Sequence, residues 1–188
     1  GGDLCVAKLL VQQSTNVWED VETVTWSEKD TDITKGKIMS LYAKWKPNLL
    51  IGDADGLGYP IICSLKNSLE NVVAFRGAMS AKNPQNGNAR TDGYMALKEM
   101  LEGEFIKLNC YNTARQIEYI KVRHGKNNPK LFILDKHDIR KEQNESPDFA
   151  DALMMAVYGM YYYPQFFSQN RNQGYCSIET DFDPYEEF

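Results

Sequence analysis

The sequence predicts a mixed α/β domain in which helices cover the faces of a sheet. A strand pair is indicated near the N-terminus, where the apolar residues 4–11 precede an alternating segment, Val17–Trp26. Two short apolar runs, residues 49–53 and Val72–Phe75, indicate buried strands farther along. Segments with apolar residues at helical spacing separate and follow these strands, so that strands and helices alternate along most of the chain.

The other elements of the N-terminal half follow in chain order. Residues 12–16 form the loop of a predicted antiparallel hairpin. Thr31 and Asp32 offer N-caps for a first helix, which Pro47 ends. Residues 59–69 predict a second helix, because Pro60 lies near its first turn, where a missing N–H costs little.

The second half begins with a long loop. Residues 76–87 have few apolar side chains and contain Asn-Pro and Asn-Gly pairs, which favour turns. We then expect a helix over residues 88–100 stopped by Gly103, an edge strand at 105–108, a helix at 113–122, a strand at 130–134 and a last helix at 147–163.

Length and composition fit one soluble domain. The chain has 188 residues, of which 43% are hydrophobic and 25% charged. We expect a domain at residues 1–163 and a loosely ordered acidic tail at 164–188. No run approaches the ~18 apolar residues of a transmembrane helix. Four scattered cysteines without a Cys-x-x-Cys pair argue against a zinc site and a disulfide framework, and fit a reducing cytoplasm.

The net charge of −5 opposes tight DNA binding, because contacts to phosphates usually come from Lys and Arg. Much of the acidic excess lies in the predicted tail. A metal-dependent nuclease also concentrates carboxylates at its centre, where bound cations reverse the local sign. The net charge is therefore compatible with a nuclease function.

The first acidic cluster follows the predicted strand at 49–53 and contains Asp53 and Asp55 among glycines. If the strand continues, the two carboxylates share a face, whereas a turn at the glycines leaves only Asp53 fixed. The alternative interpretation is a structural Asp-x-Asp-Gly turn, in which aspartate caps its own backbone.

The second acidic cluster opens the last predicted helix. Asp148 and Asp151 are three residues apart, so both can point to one helix face. Capping explains Asp148 without a catalytic role, with Ser146 as the N-cap and Pro147 at the first helical position. Asp151 enters an apolar segment, where a carboxylate is costly unless it is paired or bound to metal.

Carboxylates at a strand end and on a helix face favour a divalent metal site. Hard oxygen ligands suit Mg²⁺ or Mn²⁺, and a metal pair roughly 3.5–4 Å apart stabilises both the attacking and the leaving oxygen of a phosphodiester. The residues therefore predict a metal-dependent nuclease.

Several short blocks occur in order along residues 3–163. They are Gly52-Asp53-Ala54-Asp55-Gly56-Leu57-Gly58, Asn88-Ala89-Arg90, Gly93-Tyr94, Leu101-Glu102-Gly103-Glu104, and Lys136 ahead of Ser146-Pro147-Asp148-Phe149-Ala150-Asp151-Ala152-Leu153. This ordered set resembles the nuclease domain of the large terminase subunits of tailed phages. The resemblance implies a ribonuclease H-like α/β fold, a mixed sheet flanked by helices.

The resemblance also implies an activity and its residues. A terminase nuclease cuts concatemeric viral DNA during genome packaging, by a two-metal mechanism with Mg²⁺ or Mn²⁺. Asp53 would be the central-strand ligand, and Asp151 or Asp148 the helix ligand. Lys136 would neutralise the carboxylates or the scissile phosphate.

The chain departs from the family at its N-terminus. The family's first catalytic carboxylate ends the first strand, in a pattern like Asp-x-Ala-x-Gly-Gly-x-Asp. Here Asp3 corresponds to the later aspartate of that pattern, so we expect the first strand and its ligand upstream of Gly1. Asp3 is a further candidate metal ligand. No phosphate loop of the Gly-x-x-x-x-Gly-Lys-Ser/Thr type occurs, so ATP hydrolysis is expected in a separate N-terminal portion.

Basic residues of the loops are the candidates for DNA contact. Such contacts would be to phosphates and would tolerate many sequences, although each residue could equally be part of a solvated surface. The candidates are Arg76, Lys82, Arg90, Arg123 and Lys126.

The resemblance implies double-stranded DNA, the terminase ATPase motor, the small terminase subunit and the portal protein as partners, in the cytoplasm of the bacterial host. One alternative is a non-catalytic interaction domain of the packaging machine with an incomplete metal site. A second is a nuclease resembling Holliday-junction resolvases, against which the Ser146-Pro147-Asp148 block and the long 76–87 loop favour a terminase.

Overall fold

The computed structural model describes residues 4–14, 16–28, 30–56, 58–125 and 128–170. The strands are β1 (Cys5–Ser14), β2 (Val17–Trp26), β3 (Leu50–Asp53), β4 (Val72–Phe75), β5 (Ile106–Lys107), β6 (Val122–Gly125) and β7 (Asn128–Ile133). The helices are α1 (Thr31–Trp45), α2 (Gly58–Lys66), α3 (Ala89–Glu102), α4 (Tyr111–Ile117), α5 (Lys136–Gln143) and α6 (Asp148–Tyr162). The predicted mixed α/β class is confirmed.

The N-terminal hairpin forms as its alternating pattern predicts. β1 and β2 pair antiparallel, with a register shift between Leu9 and Leu10 that bulges the ladder. Inside the hairpin Lys8 and Asp20 form an ion pair of 2.6 Å with both side chains buried. Thr23 accepts a hydrogen bond from the same ammonium, so the buried charge of Lys8 has both of these partners within the hairpin.

A parallel strand pair places the first acidic cluster. β3 and β4 pair in parallel, with α2 as the connection between them. The carboxyl ends of both strands therefore meet at one edge, with Asp53 opposite Phe75. Carboxylate side chains that follow β3 consequently face the loop that follows β4.

A second hairpin, β6–β7, and the helix α5 differ from the prediction. Val122 was expected at the end of a helix, but α4 ends at Ile117 and Val122 begins β6. The prediction failed because β6 is largely exposed and lacks the alternation of a half-buried strand. α5 was not predicted, because Ile139 is its one buried residue and no apolar stripe marks it.

The strands fall into hydrogen-bonded groups. Within the described residues the groups are β1-β2-β5, β3-β4 and β6-β7. α6 packs against both β1 and β3, so the first two groups share one supporting helix. Among the described residues, β1 and β3 each have a strand partner along one edge only.

The core lies between α6, α3 and the strands. Leu153, Met154 and Val157 of α6 are fully buried in it. α3 approaches α6 closely at Gly93, where an added Cβ would lie 2.3 Å from the sulfur of Met154. A side chain at this position would force the buried Met154 side chain to move, so glycine favours the close packing of the two helices.

The end of the described chain packs onto this core. Pro164–Asn170, the start of the predicted tail, forms a 3-10 helix. Phe166 packs against the core, and the ring of Phe167 meets Trp18 edge to face at 5.9 Å. Residues 171–188 of the tail lie outside the described residues. None of the helices described is long and apolar enough to cross a membrane.

The N-terminus of α6 is capped from another helix. Ser146 was considered as the N-cap, but the N-cap residue is Pro147, which offers no side-chain bond. The buried side chain of Gln116 on α4 replaces it: its Oε1 accepts from the backbone N–H of Phe149 at 2.8 Å and of Ala150 at 3.2 Å. Its Nε2 donates to the carbonyl of Ser146 at 3.0 Å. Gln116 thereby fixes the first turn of α6.

We expect Gln116→Met to lower the free energy of unfolding by about 2 kcal/mol, because two helix N–H groups and a carbonyl lose their buried partner. Urea denaturation at equilibrium measures the change. Gln85→Met is the matched control, since the side chain of Gln85 is exposed. A change as small in Gln116→Met as in the control would contradict the capping role.

Candidate metal centre

Asp53 ends β3 and is held by its own turn. Its Oδ1 accepts the backbone N–H of Asp55 at 2.9 Å, as in an Asx turn. Gly56 has a positive φ of 58°, which turns the chain away from the strand direction. The carboxylate of Asp53 is 42% exposed. The turn predicted as an alternative does form, and it leaves Asp53 Oδ2 directed to other contacts.

Asp55 does not share a face with Asp53. Its Oδ2 accepts the backbone N–H of Gly77 at 2.9 Å, in the loop that follows β4. Asp55 therefore ties the ends of β3 and β4 together. It lies at the rim of the same recess as Asp53.

Asp151 is the buried carboxylate of the site, with a side chain 6% exposed. Its Oδ1 accepts the hydroxyl of Tyr94 at 2.6 Å. The same oxygen accepts Nε and Nη2 of Arg90, each at 3.2 Å. The cost of burying this carboxylate is thus offset by a neutral donor and a positive charge.

Lys136 brings the two carboxylates together. Its Nζ lies 2.9 Å from Asp151 Oδ2 and 3.7 Å from Asp53 Oδ2. Burial alone lowers the pKa of Lys136, but the charges of Asp151 and Asp53 outweigh it and raise that pKa, so the side chain is an ammonium at neutral pH. One positive charge therefore stands between a strand-end carboxylate and a helix carboxylate.

These groups line a recess of about 40 Å³, together with Phe75, Met154 and Met155. Water needs roughly 10–15 Å³ of such volume, so the recess has room for a small ion with one or two waters. Its lining combines apolar and charged side chains. Apolar neighbours lower the local dielectric and so strengthen the electrostatic interactions of the charged groups.

The residues fit a divalent cation. Asp151 Oδ2 is buried and has the Lys136 ammonium at 2.9 Å as its partner. A metal cation that takes the place of this ammonium would meet Asp151 Oδ2 and Asp53 Oδ2 as two hard ligands. Among the described residues no three Asp, Glu, His or Cys side chains are grouped so that they could hold one metal ion, although Asp55 lines the same recess as Asp53 and Asp151. The expected two-metal site stays a prediction.

Asp148 lies one turn before Asp151 on α6 but has a different environment. Its Oδ1 accepts the hydroxyl of Ser146 at 2.6 Å. Burial raises the pKa of Asp148, while Ser146 and the charge of Lys136 oppose the rise. The structure thus brings Asp53, Asp151 and Lys136 into contact and leaves Asp148 at the side of the cluster.

The candidate DNA contacts lie in several places. Arg90 is 12% exposed and bound to Asp151, and its Nη1 donates to the carbonyl of Leu134 at 2.9 Å. The ammonium of Lys82 lies over the rings of Tyr162 and Tyr163, and burial lowers its pKa. Arg76 and Arg123 are exposed, the latter 3.9 Å from Asp138. Asp3 and Lys126 lie outside the described residues.

Sequence reasoning missed Tyr94 and the part that Arg90 plays inside the site. Both are on α3, four residues apart, and so lie on one face of the helix. The spacing was available in the sequence, but nothing in the pattern indicates that this face meets Asp151. The predicted loop at 76–87 is fastened to α3, because buried Asp92 accepts the N–H of Lys82 at 2.6 Å.

We expect Asp148→Asn to raise the free energy of unfolding at neutral pH. Because the native pKa of Asp148 is raised above its ordinary 3.8, the wild type loses stability as the pH rises through the native pKa. The variant has no titrating group at this position. The difference in the free energy of unfolding between the variant and the wild type should therefore shrink as the pH falls toward 3.8. Urea denaturation between pH 7 and pH 3.5 measures it. A variant that is less stable at pH 7 would contradict the expected sign.

Solved structures share this fold. The nuclease domain of the large terminase subunit gp2 of bacterial virus Sf6 aligns with a TM-score of 0.65 and 17% identity, covering 83% of this chain and 88% of that one. A lysine-to-alanine mutant of that domain with manganese aligns at 0.63, and a mutant with calcium also at 0.63, each at 17% identity and with the same coverage. No protein-family model and no curated protein matches the chain. The predicted ribonuclease H-like fold is confirmed: the chain has the fold of the terminase nuclease domains.

Proposed function

We propose that the chain is the metal-dependent DNA endonuclease domain of a terminase large subunit, which cuts concatemeric viral DNA during genome packaging. The observation that carries the proposal is the convergence of Asp53 and Asp151 on Lys136, within a fold shared with terminase nuclease domains. The two carboxylates come from a strand end and a helix face, as a metal-dependent nuclease needs.

Asp53 and Asp151 would hold the cation, Mg²⁺ or Mn²⁺, through their Oδ2 atoms. The metal would supply a Lewis acid for the phosphodiester and an activated water as nucleophile. Lys136, whose ammonium lies 2.9 Å from Asp151 Oδ2, would have to move aside to admit the metal, and would then neutralise the carboxylates or contact the scissile phosphate. A second metal would need further ligands, for which Asp148 and Asp3 are the candidates.

The charge distribution supports DNA as the substrate despite the net charge of −5. Residues 121–141 contain seven Lys and Arg against two acidic residues, a local charge of +5, whereas the other residues together carry −10. This basic segment comprises β6, β7 and most of α5, and therefore includes Lys136 itself. An antiparallel two-stranded ribbon also fits a major groove. The segment would hold phosphates beside the carboxylates.

The proposal includes the partners and the setting of a packaging nuclease. These are the ATPase motor, the small terminase subunit and the portal protein, in the cytoplasm of the host. The fold shared with the Sf6 domain supports them. The proposed nuclease domain is residues 1–163 and the proposed acidic tail residues 164–188, of which the first, Pro164–Asn170, pack onto the domain.

One observation favours a second candidate, a non-catalytic interaction domain of the packaging machine. The carboxylates of Asp53 and Asp151 are already compensated by Lys136 and Arg90. A charge cluster that is complete without metal can serve structure alone. Metal-dependent cutting distinguishes the two candidates.

We expect this chain to nick and linearise plasmid DNA with Mn²⁺ or Mg²⁺ and to lose cutting in EDTA. Asp53→Asn and Asp151→Asn should each reduce the rate by more than about 100-fold, since each removes a metal ligand. Asp32→Asn is the control, because that carboxylate is exposed in the first turn of α1. Gel electrophoresis of the plasmid forms measures the rate.

Two results would contradict this proposal. Cutting that persists in both variants would mean that a different site, or a contaminating nuclease, is responsible. A folded chain that cuts with neither metal would support the interaction domain.

We further expect the double variant Arg123→Ala and Lys130→Ala to bind duplex DNA more weakly at every sequence. Each lost phosphate contact should reduce the slope of log affinity against log salt concentration by about 1. Fluorescence anisotropy at several salt concentrations measures the slope. Lys98→Ala is the control, because Lys98 is an exposed cation on α3, paired with Glu102 at 3.5 Å. Equal slopes for all proteins would exclude the basic segment as the DNA contact.

A further inference from the structure

We infer that Arg90 and Tyr94 are positioning residues that determine which oxygen of Asp151 is presented to the cation. The inference rests on the proposed function and adds to it the two side chains that orient the buried ligand. Neither residue would touch the metal. Each would act through the carboxylate of Asp151.

The hydrogen bonds of Asp151 are divided unevenly between its two oxygens. Oδ1 receives three, from the Tyr94 hydroxyl at 2.6 Å and from two nitrogens of Arg90 at 3.2 Å. Oδ2 has a different partner, the Lys136 ammonium at 2.9 Å. The rotation of the carboxylate is therefore fixed, and Oδ2 is the oxygen that a metal cation taking the place of this ammonium would bind.

The two donors are themselves held rigidly. The Arg90 guanidinium stacks over the Tyr94 ring at 5.1 Å, and its Nη1 donates to the Leu134 carbonyl. Leu134 lies two residues before Lys136, so one guanidinium links Asp151 to the segment that places the lysine. α3 is fixed against β7 as well, because Thr91 Oγ1 accepts the N–H of Ile133 at 3.2 Å.

The shape and burial of both side chains suit them to this task. Tyr94 is 5% exposed, and its hydroxyl has Asp151 as its acceptor. The guanidinium of Arg90 is a planar fork that can bind the carboxylate and the carbonyl at once. A lysine at this position could not make both contacts with the same geometry.

A fixed carboxylate has a defined consequence for metal binding. A freely rotating Asp151 could present either oxygen, or both to one ion, and would lose entropy on binding. With Oδ1 occupied, Asp151 binds through Oδ2 alone, next to Oδ2 of Asp53. Side chains that orient a ligand in this way typically account for 10–100-fold in metal affinity.

The test is Mn²⁺ affinity of the whole chain without DNA, measured by calorimetry and by electron paramagnetic resonance of free Mn²⁺. We expect Tyr94→Phe to weaken binding about 10-fold, because one of the donors that fix Oδ1 is lost without any change of charge. Tyr158→Phe is the matched control, since it removes a phenol from the same core, where the ring packs on Phe75 and Tyr162. Thermal unfolding of each variant separates loss of stability from loss of affinity.

The direction in which Arg90→Gln changes the Mn²⁺ affinity distinguishes two roles for Arg90. If Arg90 acted only through its charge, its removal would strengthen the binding of a cation, because a repulsive neighbour is lost. If it positions Asp151, removal weakens binding. We expect weaker binding, and we also expect that Arg90→Lys, which keeps the charge, does not restore the wild-type affinity.

Unchanged affinity in Tyr94→Phe, or tighter binding in Arg90→Gln, would overturn the inference while the proposed metal site stands. A wild type that binds no Mn²⁺, or that binds it as tightly as Asp151→Asn does, would overturn the proposed function and this inference with it.

Discussion

The burial of one negative charge governs the arrangement of the site. Asp151 lies on the apolar face of α6, where a carboxylate without partners would be prohibitively costly. Tyr94 and Arg90 reach it from α3, and Lys136 reaches it from the start of α5. Because these partners come from separate elements, the charge holds the two helices in register with α6, and Lys136 extends the network to Asp53.

The packing around α6 serves the same arrangement. Gly93 lets α3 approach α6 closely enough for the Tyr94 hydroxyl to reach the carboxylate. Gln116 of α4 fixes the first turn of α6 through the backbone N–H groups of Phe149 and Ala150. The apolar residues of α6 between Gln116 and Gly93 fill the core. This packing fixes both the position of α6 along its axis and its rotation about that axis. The geometry of the carboxylate thus depends on contacts that carry no charge.

The sequence was informative where local patterns and burial agree. The hairpin, β3, β4, α3 and α6 were predicted, since alternation, short apolar runs and caps mark them. Asp151 could be singled out because it interrupts an apolar segment, and Asp53 because it follows a buried strand. Lys136 came from the family resemblance alone. β6 and α5 were missed because their residues are mostly exposed, and exposed elements leave no hydrophobic period.

The contacts of Gln116 and Tyr94 could not be foreseen for a different reason. Each acts across a distance in the chain, from α4 or α3 to α6, and no local pattern records which face of a helix will meet a distant backbone or carboxylate. The family blocks contained Gly93-Tyr94 but did not reveal its bond to Asp151. Long-range polar contacts of this kind become visible only when the helices are placed together.

The edge of β1 that faces away from β2 has no strand partner among the described residues. Alternate N–H and C=O groups of this ten-residue strand point to that edge. Lys8 is withdrawn into its pair with Asp20 and places no exposed charge there. The bulge between Leu9 and Leu10 twists the same edge locally. Any further strand that pairs with β1 must therefore follow this twist, so the bulge restricts which strands can be added to the sheet.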